Sequence, residues 1–325
     1  PQVTLLVAAW NEAHNIANHI RAFHQLTYPR KQLVLVAGGN DGTYEIAVNC
    51  VQNQQDNNTV ILEQRTGEGK QGALRRGYKY AIGDIIFMTD GDSYLSEQAF
   101  VATISPILEG KAQVTTGNIR PLAHQCNDPF VLHRWFNEVF VSTTYSDDAN
   151  GLLGANSAIT RSALDAVGGF DADVASGTDY YMAKILLTHG FRLHYVRDSA
   201  VETEYAENWR PYVHQQMRWL RNVVTHGLRF GKRDEAIRAF IPSVIGTVML
   251  ITPLLALLIG PILLSLWGVI ALHVFLSRVR YMRFGELITG YSFKRGYLRL
   301  PFYILLDFLI WSMTALEYPR GQTRW

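Results

Sequence analysis

Two aspartates separated by one glycine, Asp90 and Asp92, are the residues of this 325-residue sequence whose type and spacing point most directly to chemistry. They follow the apolar run of residues 84–89 (DIIFMT), which has the pattern of a buried strand. Ligands of α/β sheets bind at the carboxyl ends of strands, and two carboxylates on a glycine turn can face one Mg²⁺ or Mn²⁺ ion. Such an ion also binds phosphate oxygens and neutralises a departing diphosphate. Taken alone, the pair is more often a surface turn.

A second candidate group is formed by Gln215, Arg218 and Trp219, which lie in a stretch compatible with a helix. Their spacing of i, i+3 and i+4 places them on one helix face. That face combines an amide, a guanidinium and a large ring, which can bind phosphate oxygens and stack on a sugar. The alternative is an amphipathic helix whose Trp219 and Met217 pack into the core.

A third candidate is Asp179, which follows Thr178 directly before the run YYMAKILL. Either residue could supply an ordinary helix N-cap. Asp179 could also act as a general base, held at the start of a helix and ready to take a proton from an acceptor hydroxyl. The two interpretations are compatible.

The loop of residues 67–72 (GEGKQG) matches the pattern GxGxxG, follows a strand-like run, and has Asp90 and Asp92 18 and 20 residues beyond it. This is the outline of a dinucleotide-binding fingerprint, and it keeps an NAD(P)-binding membrane oxidoreductase as an alternative. However, the loop falls on the third strand–helix turn and contains Lys70. A cationic loop that contacts a nucleotide diphosphate through Lys70 fits these features better.

The elements that must position these residues alternate between strand and helix over residues 1–235, which we predict to form one catalytic domain. Such alternation predicts βαβ units with right-handed crossovers in a largely parallel sheet. The predicted strands cover Val3–Ala9, Gln32–Ala37, Val60–Glu63 and Asp84–Thr89, and the predicted helices cover Glu12–Leu26, Tyr44–Gln54 and Gly72–Ala81. Beyond Asp92 the pattern becomes mixed, with the segment VTTGNIRPL at residues 114–122 and a predicted helix near residues 129–140.

Residues 236–325 form a predicted membrane region, because Ala239–Ser277 contains 39 residues without one Asp, Glu, Lys or Arg. A helix crosses a bilayer with about 20 residues, so this stretch can supply two short crossings joined at Gly260-Pro261. A buried helix pair of a soluble protein is the alternative. Leu300–Leu316 is a third candidate, interrupted by Asp307.

Basic residues flank the apolar stretch and predict that both ends are cytoplasmic. They are Arg229, Lys232, Arg233 and Arg238 before it, and Arg278, Arg280, Arg283, Lys294, Arg295 and Arg299 after it.

Composition limits the remaining classes of function. The net charge of +2 and the lack of a dense basic run in the first 230 residues argue against a nucleic-acid partner. Cys50 and Cys126 have no metal-ligand spacing and are expected to be thiols in a reducing compartment. The sequence starts at Pro1 directly on a strand-like run, and we expect that an N-terminal segment is missing.

Taken in order, these motifs resemble those of the family 2 glycosyltransferases, especially the membrane-bound branch with cellulose, chitin and hyaluronan synthases and ceramide glucosyltransferase. The resemblance implies a GT-A-type catalytic domain, with a Rossmann-like mixed sheet, followed by C-terminal transmembrane helices. The matching stretches are residues 9–12 (AWNE), the strand ending near Ala37, Gly69-Lys70 with Ala73-Leu74, Asp90-Gly91-Asp92, residues 117–121 (GNIRP), 154–158 (GANSA), 166–170 (AVGGF), Thr178-Asp179, and Gln215, Arg218 and Trp219.

The resemblance also implies an inverting, metal-dependent transfer of a hexosyl or N-acetylhexosaminyl group from a nucleotide-sugar, with Mg²⁺ or Mn²⁺ as cofactor. Glu12 would contact the nucleoside, Asp90 the nucleotide and the metal, and Asp92 the metal. Asp179 would be the base. The face of Gln215, Arg218 and Trp219 would hold the diphosphate and the end of the acceptor.

Two departures from the family pattern affect these expectations. The usual Asp-Asp-Gly-Ser stretch after the second strand is replaced by residues 36–39 (VAGG), so the acid that helps to read the nucleobase is missing. The family resemblance still leads us to expect UDP as the nucleotide of the donor. The usual Glu before the catalytic base is replaced by Thr178, while Asp179 is retained.

The acceptor is expected to be a lipid or a growing glycan at the cytoplasmic face of the cell membrane, with the chain crossing the bilayer more than once. Two or three predicted membrane helices suit an enzyme that adds one sugar to a lipid. They also suit a fragment of a processive polysaccharide synthase, and the sequence leaves both open.

Overall fold

The computed structural model describes residues 1–52, 58–143 and 146–317, which pack as two compact units. The described part of the first unit consists of residues 1–52, 58–120 and 146–204, and that of the second unit of residues 121–143 and 205–317. The boundary expected at residue 235 rests on composition and stays a prediction.

The described elements follow the alternation of strand and helix that the sequence predicts. In chain order they are β1 (Val3–Trp10), α1 (Ile16–Gln25), β2 (Lys31–Gly38), α2 (Thr43–Gln52), β3 (Thr59–Glu63), α3 (Gly69–Tyr78), β4 (Ile85–Asp90), β5 (Ser93–Tyr94), α4 (Glu97–Leu108), β6 (Val114–Pro121), α5 (Pro129–Ser142), β7 (Ser157–Thr160), α6 (Arg161–Ala166), α7 (Thr178–Thr188), β8 (Leu193–Thr203), α8 (Trp209–Arg229), α9 (Arg233–Ile259), α10 (Pro261–Thr289) and α11 (Leu300–Glu317).

The strands of the first unit form one mixed sheet in the order β3-β2-β1-β4-β7-β6-β8-β5. Strands β1 to β4 are parallel, as predicted, whereas β7 pairs antiparallel with β4 and with β6. The chain builds outward from β1 through β2 to β3 and then returns to place β4 on the other side of β1. The carboxyl ends of β1 and β4 therefore meet at a switch point, where open α/β sheets bind their ligands.

The core of the first unit lies on both faces of this sheet, because successive side chains of a strand point to opposite faces. Leu5 and Phe87 belong to one buried cluster, and Leu6 and Ile86 belong to the other. Burial on both faces explains why these strands are continuous apolar runs and not alternating ones.

Helix α3 differs from the prediction at both of its ends. It begins at Gly69, three residues before the predicted start, and ends at Tyr78, three residues before Ala81. Backbone hydrogen bonds from Tyr80 to Gly77 and from Ala81 to Tyr78 close a turn that leads the chain into β4. The last two residues of the helix predicted over Tyr44–Gln54 lie outside the described residues.

The apolar C-terminal stretch forms helices α9 and α10, which break at Gly260, with Pro261 as the first residue of α10, as predicted. The helices have 27 and 29 residues because charged residues at their outer ends continue the helical pattern. Within the described ranges, these two helices are long and apolar enough to cross a membrane.

Helix α11 packs against α9 in the second unit and carries Asp307, the acid that interrupts its apolar run. The Asp307 carboxylate is buried and accepts a hydrogen bond from Nη2 of Arg278 at 2.9 Å and another from the hydroxyl of Tyr212 at 3.2 Å. Nη1 of Arg278 donates to the amide oxygen of Asn137 at 2.7 Å. A buried carboxylate needs such partners, so Asp307 joins helices of this unit.

Candidate active site

The aspartate pair lies at the switch point of the sheet. Asp90 is the last residue of β4 and pairs in register with Ala8 of β1, and Asp92 stands immediately before β5. A Cβ atom on Gly91 would lie 2.8 Å from Cβ of Ala9 and 3.3 Å from Cγ of Glu12. Only glycine allows this close approach, which brings the predicted nucleoside contact Glu12 next to the two aspartates.

The turn that carries the aspartates is anchored on both sides. The Nδ1 atom of the buried His19 lies 2.7 Å from the carbonyl oxygen of Ser93, and the Ser93 hydroxyl donates to Oδ1 of Asp92 at 3.3 Å. Strand β5 pairs with β8 through Ser93 and Thr203, and the backbone N–H of Glu204 donates to the carbonyl oxygen of Asp92 at 3.3 Å. These contacts fix the backbone of the turn before any ligand binds.

Lys70 lies in the first turn of α3 and reaches the aspartate pair. Its Nζ atom lies 2.5 Å from Oδ1 of Asp90. Desolvation alone would lower the pKa of Lys70, but the carboxylates of Asp90 and Asp179 outweigh it and raise that pKa. The loop of residues 67–72 therefore brings a protonated amine to the carboxylates, while the contact of Lys70 with a diphosphate stays a prediction.

The same loop does not have the position of a dinucleotide fingerprint. It follows β3, which lies at the edge of the sheet, beyond β2. A dinucleotide-binding fold places its glycine-rich turn after the first strand, at the switch point. Here the turn after β1 carries Glu12.

Asp179 lies in the first turn of α7, but it is not the N-cap. Gly177 is the N-cap, with a φ of 75°, and the Oδ1 atom of Asp179 accepts a hydrogen bond from the backbone N–H of Tyr180 at 2.9 Å. A Cβ atom on Gly154 would lie 3.2 Å from Nζ of Lys70 and 3.4 Å from Oδ2 of Asp179. Lys70 and Asp179 thus border one small space above Gly154.

The group formed by Glu12, Asp90, Asp92 and Asp179 carries more negative charge than Lys70 can neutralise. Burial, together with the charges of Asp90 and Glu12, raises the pKa of Asp92 to about 7. Burial also raises the pKa of Glu12, despite a hydrogen bond from Asn15 that favours its ionised form. This uncompensated charge fits a divalent cation.

Among the described residues, no set of three His, Cys, Asp or Glu side chains converges as a complete metal cage. A cation at the aspartate pair would therefore complete its coordination with phosphate oxygens and water, as Mg²⁺ usually does. The residues present fit that donor set, with Asp92 and Asp90 as the carboxylate ligands.

Sequence reasoning missed four residues around Glu12. The amide nitrogen of Asn15 donates to Oε2 of Glu12 at 3.1 Å and to Oε2 of Glu204 at 2.7 Å. The Tyr94 hydroxyl donates to the Asn15 amide oxygen at 2.6 Å, and Nε2 of His14 lies 2.9 Å from Glu204. The hydrogen bond to Glu204 raises the pKa of His14. His14 and Asn15 directly follow Glu12 and could have been considered, whereas Glu204 is 190 residues from His14 and forms no local motif.

The end of β2 has no acid that faces the switch point. Val36 and Ala37, which replace the expected acidic pair, are fully buried in the strand. The nearest acid, Asp41, accepts hydrogen bonds from the backbone N–H of Ala13 at 3.0 Å and from the hydroxyl of Thr43 at 2.6 Å. Asp41 therefore ties two loops together.

Gln215, Arg218 and Trp219 lie on α8 in the second unit. Arg134 connects two of them, since its Nη1 atom donates to Oε1 of Gln215 at 2.6 Å and its guanidinium lies 4.9 Å from the centre of the Trp219 ring. Arg218 is exposed. Met217 packs in the core as the alternative expected, but the Trp219 side chain is 37% exposed.

Residues 1–222 match the family model described as glycosyltransferase-like family 2. Curated relatives include the probable glycosyltransferase YdaM of Bacillus subtilis, 24% identical over 68% of this chain and 55% of the relative. The glycosyltransferase AglE of Haloferax volcanii is 25% identical over 61% of this chain and 65% of its own length. The poly-β-1,6-N-acetyl-D-glucosamine synthase of Staphylococcus aureus is 24% identical over 59% of this chain and 47% of its own length. The chain thus spans about half to two thirds of these relatives.

Two solved structures share the fold. A mannosyltransferase of Pyrobaculum calidifontis, solved with GDP-Man and Mn²⁺, superimposes with a TM-score of 0.63 over 98% of this chain and 87% of that chain, at 18% identity. TarS of S. aureus (residues 1–349) gives a TM-score of 0.51 over 99% of this chain and 92% of that chain, at 13% identity. The expected GT-A-type architecture is confirmed by this likeness.

The crowding of charge around Asp92 predicts a pH-dependent effect of Asp92→Asn in metal-free protein. Because the folded state holds the Asp92 proton more tightly than the unfolded state, the contribution of Asp92 to wild-type stability should fall as the pH rises from about 4 to about 7. Asparagine does not ionise and avoids this loss. We expect the variant's melting temperature to exceed that of wild type by an amount that grows between pH 5 and 7, on the order of 5 °C.

The measurement is thermal denaturation in a chelating buffer across this pH range. The exposed Asp171→Asn is a matched control and should give a curve parallel to that of wild type. If the curves of Asp92→Asn and wild type were also parallel, the charge crowding at this turn would be contradicted.

Proposed function

Because the chain belongs to glycosyltransferase-like family 2, we propose that its first unit transfers a hexosyl or N-acetylhexosaminyl group from a nucleotide-sugar to a lipid or glycan, with inversion at the anomeric carbon. The observation that carries this proposal is the convergence of Asp90, Asp92, Lys70 and Asp179 at the switch point of the sheet. Such a transfer needs carboxylates that hold a cation, an amine that binds phosphate and a further carboxylate that accepts a proton.

The donor side of the reaction is assigned to Asp90, Asp92 and Lys70. A bound Mg²⁺ or Mn²⁺ supplies neutralisation of the diphosphate leaving group. Asp92 and Asp90 would hold this ion, and the excess carboxylate charge at the turn supports the assignment. Lys70, whose amine already lies at hydrogen-bond distance from Asp90, would contact a diphosphate oxygen.

The acceptor side is assigned to Asp179. An acceptor hydroxyl attacks the anomeric carbon from the face opposite the diphosphate, and its proton passes to the Asp179 carboxylate. The new glycosidic C–O bond forms as the bond to the diphosphate breaks, and the nucleoside diphosphate leaves. The proximity of Asp179 to the Lys70 amine supports a base next to the reacting carbon.

We assign binding of the nucleoside to Glu12, whose carboxylate is oriented by a hydrogen bond from Asn15. UDP is the nucleotide that the family resemblance favours. The mannosyltransferase of similar fold was solved with GDP-Man, so a guanine nucleotide is the competing donor. Neither Val36 nor Ala37 has a carboxylate, and both are buried, so neither side chain can accept a hydrogen bond from uracil or guanine.

Helices α9 and α10 support a membrane location. Leu258 and Ile262 are 85% and 86% exposed, and the apolar window of α10 has no buried residue. A contiguous apolar surface of this kind is unfavourable in water and suits lipid. We place the basic flanks, and with them the catalytic unit, on the cytoplasmic side.

The face of Gln215, Arg218 and Trp219 is proposed to hold the diphosphate and the acceptor end.

A processive polysaccharide synthase is the second candidate, because one relative is a poly-β-1,6-N-acetyl-D-glucosamine synthase. The two candidates differ in their product, since a synthase makes a series of lengths and a single-transfer enzyme adds one sugar.

The test is a panel of UDP- and GDP-sugars supplied to enzyme purified in native lipid, with Mn²⁺, Mg²⁺ or a chelator, and mass spectrometry of the products. We expect turnover of at least one donor with the metals and none with the chelator. One added sugar mass identifies a single transfer, and a ladder identifies a synthase. Absence of turnover with every donor would contradict the proposed function.

Asp179→Asn should lower the rate of transfer by about 10²–10⁴-fold, because an amide cannot accept the hydroxyl proton. Donor binding, measured by calorimetry, should stay within about threefold of wild type, since Asp179 is not assigned to the diphosphate. The exposed Asp171→Asn is the control and should keep full activity. Full activity in Asp179→Asn would exclude Asp179 as the base.

A further inference from the structure

Arg134, on helix α5 of the second unit, is a buried cation that no motif singled out. It is 5% exposed, although arginine is almost never fully buried without partners. Its Nε atom donates to Oε1 of Glu138 at 3.1 Å, and its Nη1 atom donates to the amide oxygen of Gln215 at 2.6 Å. The guanidinium thus joins α5 to α8.

Two aromatic rings also contact the Arg134 guanidinium. Its central carbon lies 4.4 Å from the centre of the Tyr205 ring and 4.9 Å from the centre of the Trp219 ring. A planar guanidinium stacks on aromatic faces in a way that a lysine ammonium cannot. Arg134 therefore contacts both Gln215 and Trp219, two of the three residues of the predicted binding face.

The partners of Arg134 are themselves fixed. The Tyr205 hydroxyl donates to Oε2 of Glu138 at 2.5 Å. The amide nitrogen of Gln125 donates to the carbonyl oxygen of Tyr205 at 2.8 Å, and the Tyr205 N–H donates to the amide oxygen of Gln125 at 2.9 Å. A charge held by so many partners in a buried place has one favoured position.

We propose that Arg134 is a positioning residue, which holds the Gln215 amide and the Trp219 ring in the orientation used for transfer. The inference rests on the proposed function for the role of that face. Arg134 is too buried to bind a phosphate itself, whereas Trp219 keeps more than a third of its surface exposed and can stack on a sugar. Its effect on catalysis is therefore indirect.

The first test needs no activity. The protein is labelled with 5-fluorotryptophan in lipid nanodiscs, and the ¹⁹F resonance of Trp219 is assigned by its loss in Trp219→Phe. In Arg134→Met we expect this resonance to shift and broaden, because the ring loses its stacking partner. Arg238→Met, which removes an exposed guanidinium of the same unit paired with Asp234, is the control and should leave the resonance in place.

The second test separates kcat from KM. Arg134→Met should lower kcat for transfer by about 100-fold, since a displaced binding group misorients the reactants. Arg134→Lys keeps the charge but loses the planar fork, and should recover only part of the rate. If Arg134→Met unfolds the unit, Glu138→Gln gives a milder loosening of the same guanidinium, with a smaller change in the same direction.

Three results are decisive. An unmoved Trp219 resonance in folded Arg134→Met would overturn the inference, and so would a wild-type kcat. Inactivity of the wild-type enzyme with every donor would instead contradict the proposed function, while the ¹⁹F comparison would still decide whether Arg134 orients Trp219.

Discussion

Carboxylates crowd together at the switch point of the first unit, and their mutual repulsion must be offset by the elements that hold them there. Asp90, Asp92 and Glu12 lie close enough that burial and mutual charge raise the pKa of Asp92 to about 7. A fold tolerates such crowding only where other contacts over-determine the backbone. Here His19, the pairing of β5 with β8 and the close approach of Gly91 to β1 supply those contacts. These contacts hold the turn in place, and its excess of carboxylate charge supports the proposal that it binds a cation.

In the second unit, guanidiniums are paired with carboxylates, whereas carboxylates are in excess at the switch point of the first unit. Two of its described guanidiniums, those of the buried Arg134 and the partly buried Arg278, are paired with the carboxylates of Glu138 and Asp307, and each also donates to an amide oxygen. Paired charges of this kind contribute little net stability, but removing one partner is costly, so they fix the relative positions of helices. Helices in fixed relative positions are required if a bundle is to present Gln215 and Trp219 on one face.

Strong periodic signals made much of the fold predictable. The apolar strand Val3–Ala9 is observed as Val3–Trp10, and the break at Gly260-Pro261 separates two helices as expected. Asp90, Asp92 and Lys70 could be brought together from sequence because strand ends and a glycine loop fix their place. Glu204 and Arg134 could not, since their contacts join residues 190 and 81 positions apart. The cap at Gly177 was also missed, because a left-handed glycine competes with Thr and Asp for that position.

We propose that the aspartate pair holds a divalent ion together with a diphosphate. Electron paramagnetic resonance of Mn²⁺ titrated into the protein, with and without UDP or GDP, measures this binding. We expect one of the nucleotides to tighten Mn²⁺ binding and to add ³¹P hyperfine coupling to the bound ion, and we expect both effects to be lost in Asp92→Asn. Mn²⁺ and nucleotide binding that persists unchanged in Asp92→Asn would contradict it.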